Sequence, residues 1–302
     1  MTLAPSRTPS AILALVSFLA AAAAQAPADT SAKKCCLDGL KGFEAFHEPI
    51  GQPIYFESPF NDTGIRFLYL DHYFSSGSTL QGGDVKVIAM QARVALTERF
   101  AFIATKDGHS FLEANALPKD QGWNDIGFGF KCVFAADRAE DFVAAAGIRY
   151  TAENGHRGVL QGGVDEWSPF VSVAKGCDDL HLVGNVTLRV PTDGDDGNTV
   201  GHWDVHADYD LNPGEQTVFA PVLELHGVHY LDDGATALDV GGLDYANLGT
   251  QPADPFVCWA GVGARAEIAE RFELGLVYEF ALTDPDKDIM DQRVTFDFFI
   301  RW

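Results

Sequence analysis

The sequence predicts an all-β chain folded as a single antiparallel up-and-down transmembrane β-barrel, and three observations predict it. The last ten residues, "RVTFDFFIRW", put Val294, Phe296, Phe298, Ile300 and Trp302 in one row and Arg293, Thr295, Asp297 and Arg301 in the opposite one, with Phe299 the only break. Eleven more segments of this kind precede it from about residue 63 onward. The connections between them alternate between short and long.

Each segment follows from its own residues. "GIRFLYLDHYF", "DVKVIAMQARVAL", "RFAFIAT" and "WNDIGFGFKCVFA" open the series; "DFVAAAGIRYT", "SPFVSVAKG", "LHLVGNVTLRV" and "HWDVHADYDL" follow; "TVFAPVLELHGVHY", "FVCWAGVGARAEIA", "RFELGLVYEFAL" and "MDQRVTFDFFIRW" complete twelve. A strand tilted across a bilayer needs about 9–11 residues, which these supply. Short turns such as "ER" at 98–99 and 270–271 alternate with long connections such as "DGHSFLEANALPKDQG" and "DDGATALDVGGLDYANLGTQPAD". Short turns at one end and long loops at the other are the pattern of a membrane barrel.

The faces differ in chemistry. On the eleventh segment Phe272, Leu274, Leu276, Tyr278, Phe280 and Leu282 share one side, and Glu273, Gly275, Val277, Glu279 and Ala281 the other. A sandwich would have to cover such apolar rows with a second sheet. Long aromatic rows opposite charge and glycine fit lipid outside and a polar lumen within. On the first segment Ile65 and Asp71 fall on one side, which leaves its register open.

The remaining readings concern residues before the barrel and bulk composition. Residues 1–26 read as a secretory signal peptide: Arg7, then "AILALVSFLAAAAA", then small residues. Residues 27–62 do not alternate and are expected to hang in the periplasm or to enter the barrel mouth as a plug; 63–302 form the barrel. A formal net charge of −22 argues against a nucleic-acid partner, which selects basic surface. The five cysteines lie too far apart in sequence for a recognisable zinc motif or disulfide framework.

The final strand, with alternating apolar residues and a terminal tryptophan, resembles the C-terminal assembly signal of bacterial outer-membrane β-barrel proteins. Phe296, Phe298, Ile300 and Trp302 carry that resemblance. It implies the bacterial outer membrane as location, and its lipid bilayer and the barrel-assembly machinery as partners.

The lumen face is expected to carry Arg93, Lys131, Arg149, Arg189, Arg265, Arg293 and Arg301 together with Asp204, Asp208, Glu224, Glu267, Glu273, Glu279 and Asp297. Charges crossing a narrow interior either filter small polar solutes or ions, or pair with one another and fill the barrel. His206 and His226 join carboxylates on adjacent strands, a set that a transition metal would accept, but histidines inside barrels also serve without one, and no metal or cofactor is expected. Ser172 with His226 or His229 lacks a nucleophile motif, so no catalytic residue is expected. The expected function is passive diffusion of small polar solutes or ions through a narrow charged lumen. The alternatives are a non-conducting structural or adhesion barrel and a lipid-modifying enzyme.

Overall fold

The computed structural model describes residues 37–302, so the expected signal peptide and residues 27–36 lie outside the described residues. Fourteen strand segments form one antiparallel sheet that closes on itself through pairing of the first with both the last and the second. They are β1 (Gly64–Phe74), β2 (Gly83–Ala95), β3 (Phe100–Lys106), β4 (Gly108–Ala114), β5 (Asp120–Trp123), β6 (Ile126–Asp137), β7 (Phe142–Ala152), β8 (Glu166–Cys177), β9 (Leu180–Pro191), β10 (Val200–Tyr209), β11 (Thr217–Tyr230), β12 (Phe256–Ile268), β13 (Phe272–Ala281) and β14 (Gln292–Arg301). Segments β3 and β4 pair in succession with β2, and β5 and β6 pair with β4 and β3. Each of these two couples is therefore one wall strand broken near its middle, and the barrel has twelve walls. Closure removes the free sheet edges that lipid would not tolerate.

The stretch expected as one long outer loop, 107–122, is thus corrected: most of it is the β4–β5 hairpin. Its inner row is apolar, like the long-loop ends of β1, β2 and β11. Ser110, Leu112 and Ala114 are buried inside, while Phe111 and Glu113 are exposed. Apolar residues turn inward here because the lumen they meet at this level is itself apolar.

Burial alternates along most of the long strands, with β7 the main exception, where Val143, Ala144, Ala145, Ala146 and Gly147 are all buried. Outside, Phe67, Ile88, Phe128, Val186, Leu223, Val262, Leu276 and Phe296 are exposed. Aromatic rings gather at two levels. Phe100 stacks on Phe130 and Phe272 on Phe298 near the short turns, and Tyr150 meets Trp167 at 4.9 Å near the long loops. Two such belts around an apolar band are what a bilayer selects. The first strand's register is settled: Ile65, Phe67, Tyr69, Asp71 and Tyr73 face out, with Asp71 accepting from the Tyr73 hydroxyl at the long-loop end.

The interior is filled. Residues 37–62 enter from the short-turn end, rise to Tyr55 and return to β1 at Gly64. The loop between β11 and β12 folds inward from the opposite end. Leu40, Phe43, Phe46, Phe56 and Phe60 pack on Val133, Val143, Ala145, Ala174 and Val183 near the short turns. Val240, Leu243 and Tyr245 of the β11–β12 loop pack with Leu70, Val85, Leu112, Val228 and Trp259 near the long loops.

Candidate functional site: a charged lumen and its inner segment

All sixteen charged and histidine residues expected on the lumen face lie on the buried side of the wall. Arg93 (β2), Lys131 (β6), Arg149 (β7) and Arg189 (β9) occupy one arc. Asp204, His206 and Asp208 (β10), Glu224 and His226 (β11), Arg265 and Glu267 (β12), Glu273 and Glu279 (β13), and Arg293, Asp297 and Arg301 (β14) occupy the other.

The cations divide by partner. One group pairs with carboxylates of the wall itself. Arg189 donates twice to Glu166, Arg265 makes a two-pronged contact with Asp297 at 3.0 Å on each arm, and Arg293 donates to Glu279 at 2.8 and 2.7 Å. Arg66 donates to Asp297, and Arg301 to Glu273. Paired guanidinium–carboxylate contacts are among the stronger hydrogen bonds and are what makes burial of such charges tolerable.

The other group depends on residues 37–62. Lys131 donates to Glu57 and to the Ser58 carbonyl, at 2.7 and 2.8 Å. Arg149 donates to the Ile54 and Tyr55 carbonyls, and Arg93 to Glu48 and Asp62. Arg66 and Arg301 also reach this segment, through the Pro49 and Glu44 carbonyls. Such strongly hydrogen-bonded carbonyls account for how a chain with little regular structure of its own can lie buried.

Glu224 fixes the top of the segment by accepting from the backbone N–H groups of Ile50 and Gly51 at 2.7 and 2.6 Å. A Cβ at Gly51 would lie 2.5 Å from Glu224 Oε2 and 2.8 Å from Glu279 Oε1. Only glycine lets the backbone approach this closely.

His206 and His226 sit in a chain of alternating imidazoles and carboxylates. Asp204 Oδ1 lies 2.9 Å from His226 Nδ1, Glu224 Oε1 lies 2.7 Å from His206 Nδ1, and His206 Nε2 lies 3.0 Å from Asp208 Oδ2. Ser172 and His226 both point inward, whereas His229 faces out and stacks on Phe256 at 4.5 Å.

The β11–β12 loop closes the other end. Arg293 donates to both oxygens of Asp244, and Arg189 donates to the Leu243 carbonyl at 2.6 Å. Burial pushes the Asp244 carboxyl up, but the Arg293 charge outweighs it and holds the group below its ordinary range. In the β13–β14 loop, Asp288 accepts from the Tyr230 hydroxyl at 2.9 Å, and burial pushes its carboxyl up to about 7.

Two features escaped sequence reasoning, Asp244 and the apolar upper lumen; Trp259 lies in the inward row of Arg265 and Glu267, and its indole N–H donates to Glu279. Phe299, the break in the last strand's alternation, lies inside, with the Arg93 and Arg301 guanidinium carbons 5.4 and 5.8 Å from its ring centre. That break was the available signal. An aromatic residue on the polar face marks a site where cations stack on it.

No protein-family model and no curated protein match the sequence. The structure is similar to an outer-membrane channel from Pseudomonas putida F1, with a TM-score of 0.59 at 11% identity over 85% of this chain and 100% of that one. The fold is that of the outer-membrane β-barrels. With its apolar wall and aromatic belts, this barrel belongs in the bacterial outer membrane. Two further solved structures are similar at lower scores. One is the β-domain of the Bordetella autotransporter BrkA (TM-score 0.49, 10% identity, 80% of this chain and 100% of that one). The other is the NanC porin (0.47, 9%, 80% and 100%).

Proposed function

We propose that this outer-membrane barrel is a channel for small polar solutes or ions, closed in the present state by residues 37–62 acting as a plug at one end and by the inward β11–β12 loop at the other. One observation carries the reading. The wall's cations hold this segment largely through its main-chain carbonyls, which water can replace, while Arg66, Arg189, Arg265, Arg293 and Arg301 keep carboxylate partners on the wall. A lumen emptied of the segment would remain polar and largely charge-compensated, as a hydrated path requires. The lumen residues from Arg93 to Arg301 would then set selectivity.

The second reading, a non-conducting structural or adhesion barrel, is favoured by the apolar packing at the long-loop end. A lipid-modifying enzyme is disfavoured, because Ser172 and His226 face inward and His229 faces lipid. We further propose that Phe296, Phe298, Ile300 and Trp302, which face outward, serve recognition by the assembly machinery.

Planar-bilayer recording separates these readings. The full chain is expected to pass little steady current, and a chain lacking both residues 37–62 and the inward part of the β11–β12 loop to conduct, with ion selectivity altered by Glu279→Gln or Arg293→Gln. A folded barrel that stays silent after both deletions would sink the channel reading.

A further inference from the structure

At the short-turn end of the lumen, four buried side chains from three parts of the chain converge. They are His47 of the inner segment, His181 of β9, Asp208 of β10 and Asp210 just beyond it. One donor atom from each lies within 4.8 Å of the other three. His47 Nε2 is 2.7 Å from Asp210 Oδ1 and 3.9 Å from Asp208 Oδ1, and His181 Nδ1 is 2.8 Å from that same Asp208 oxygen. Elsewhere in the lumen the carboxylates of Glu166, Glu279 and Asp297 are met by arginine; here the ion-pair partners of Asp208 and Asp210 are histidines.

A second, independent feature surrounds this cluster. His47 is 1% exposed, and its other ring nitrogen, Nδ1, has no hydrogen-bond partner among the described residues. That nitrogen faces Glu267 Oε2 at 3.9 Å, an oxygen that likewise lacks a hydrogen bond. The far oxygen of Asp208 is held by His206 Nε2 at 3.0 Å, and His206 by Glu224. Carboxylates behind metal-bound imidazoles, and hydrogen bonds behind metal-bound carboxylates, are the outer partners that orient ligands at a metal.

We propose that His47 Nε2, His181 Nδ1, Asp208 Oδ1 and Asp210 Oδ1 bind one divalent transition-metal ion of the zinc class. Two imidazoles and two carboxylates form a borderline donor set, suited to a tetrahedral ion. Metal–ligand bonds of about 2.0–2.2 Å place ligand atoms about 3.3 Å apart, within the spread that the cluster already spans. The ion takes the place of the hydrogen bonds through which His47 and His181 now meet the two aspartates. Because His47 belongs to the inner segment and the other three to the wall, the ion ties the two together. This site stands whether or not the barrel conducts.

The test uses the untagged full chain, folded in detergent, stripped of metal by a chelator and titrated with Co2+ as an optical probe. The expected result is the visible absorption of a four-coordinate Co2+ site, saturating at one ion per chain and displaced by Zn2+. His47→Ala and Asp210→Asn should each weaken binding by at least about tenfold, while His229→Ala, on the outer wall, should not. Heat-modifiable gel migration establishes that each variant is folded, and His181→Asn replaces either one that is not. Absence of the band from folded wild-type protein, with Co2+ added during or after folding, would overturn the site. So would undiminished binding in the ligand variants.

Discussion

The two ends of the barrel are closed by different chemistry. At the long-loop end the barrel folds its own β11–β12 loop inward, seals it with Val240, Leu243 and Tyr245, and locks it with the buried Arg293–Asp244 pair. At the short-turn end a separate stretch, residues 37–62, lies across a polar wall and is held by charged side chains reaching its backbone. The first closure is an apolar core with one charged clasp; the second is a set of hydrogen bonds to backbone carbonyls, joined by the Arg93–Glu48, Arg93–Asp62 and Lys131–Glu57 pairs, with a small aromatic foot. The difference teaches which end can open at lower cost. Hydrogen bonds exchanged for water contribute little net free energy each, whereas exposing a packed core loses its whole transfer term.

Arg293→Ala would break this comparison most forcefully. It leaves Asp244 and Glu279 buried without their cation, and removal of one partner of such a pair typically costs about 3–5 kcal/mol. Equilibrium unfolding in detergent should show it, and a loss under about 1 kcal/mol would mean the long-loop clasp is not holding the loop. Arg149→Ala removes two donors to the inner segment and strips no carboxylate of its cation. A smaller loss, about 1.5–3 kcal/mol, is expected, with faster hydrogen exchange confined to residues around Ile54 and Tyr55. Uniform exchange across the barrel would contradict an inner segment that opens on its own.

The next contrast is in pH. The Asp288 carboxyl, raised by burial to about 7 from an ordinary value of 3.8, binds its proton more tightly when the long-loop end is folded. Its contribution is therefore complete below about pH 4 and is lost as the pH rises through 7. Difference unfolding curves of wild type against Asp288→Asn should diverge across that window; parallel curves would mean that folding does not hold the Asp288 proton. The smallest effect belongs to the exposed Lys119–Glu113 pair at the rim of the β4–β5 hairpin. Lys119→Ala should leave the unfolding midpoint unchanged, and a clear drop would mean this hairpin is part of the seal.

Much of the wall was legible because a strand's side chains alternate with a period of two, and lipid and lumen select opposite chemistry. The rows on β12, β13 and β14 could be assigned residue by residue for that reason. β4 was not legible, because Leu112 and Ala114 face an apolar interior that only the folded loop creates, so its inner row is apolar where a polar one was expected. The lumen charges could be named, but their partners could not. Asp297 serves both Arg66 and Arg265, which sit on strands 199 positions apart in sequence and come together only when the barrel closes.

By itself, then, the sequence determined a closed β-barrel wall, its membrane-facing side and the residues that turn inward, because local periodicity and solvent chemistry suffice for those. Tertiary structure alone decided that the interior is filled, that residues 37–62 meet the arginines and that His47 reaches His181 and Asp208. Those contacts link segments that no periodicity relates, and they are chosen by which buried polar groups can find partners once the wall has closed.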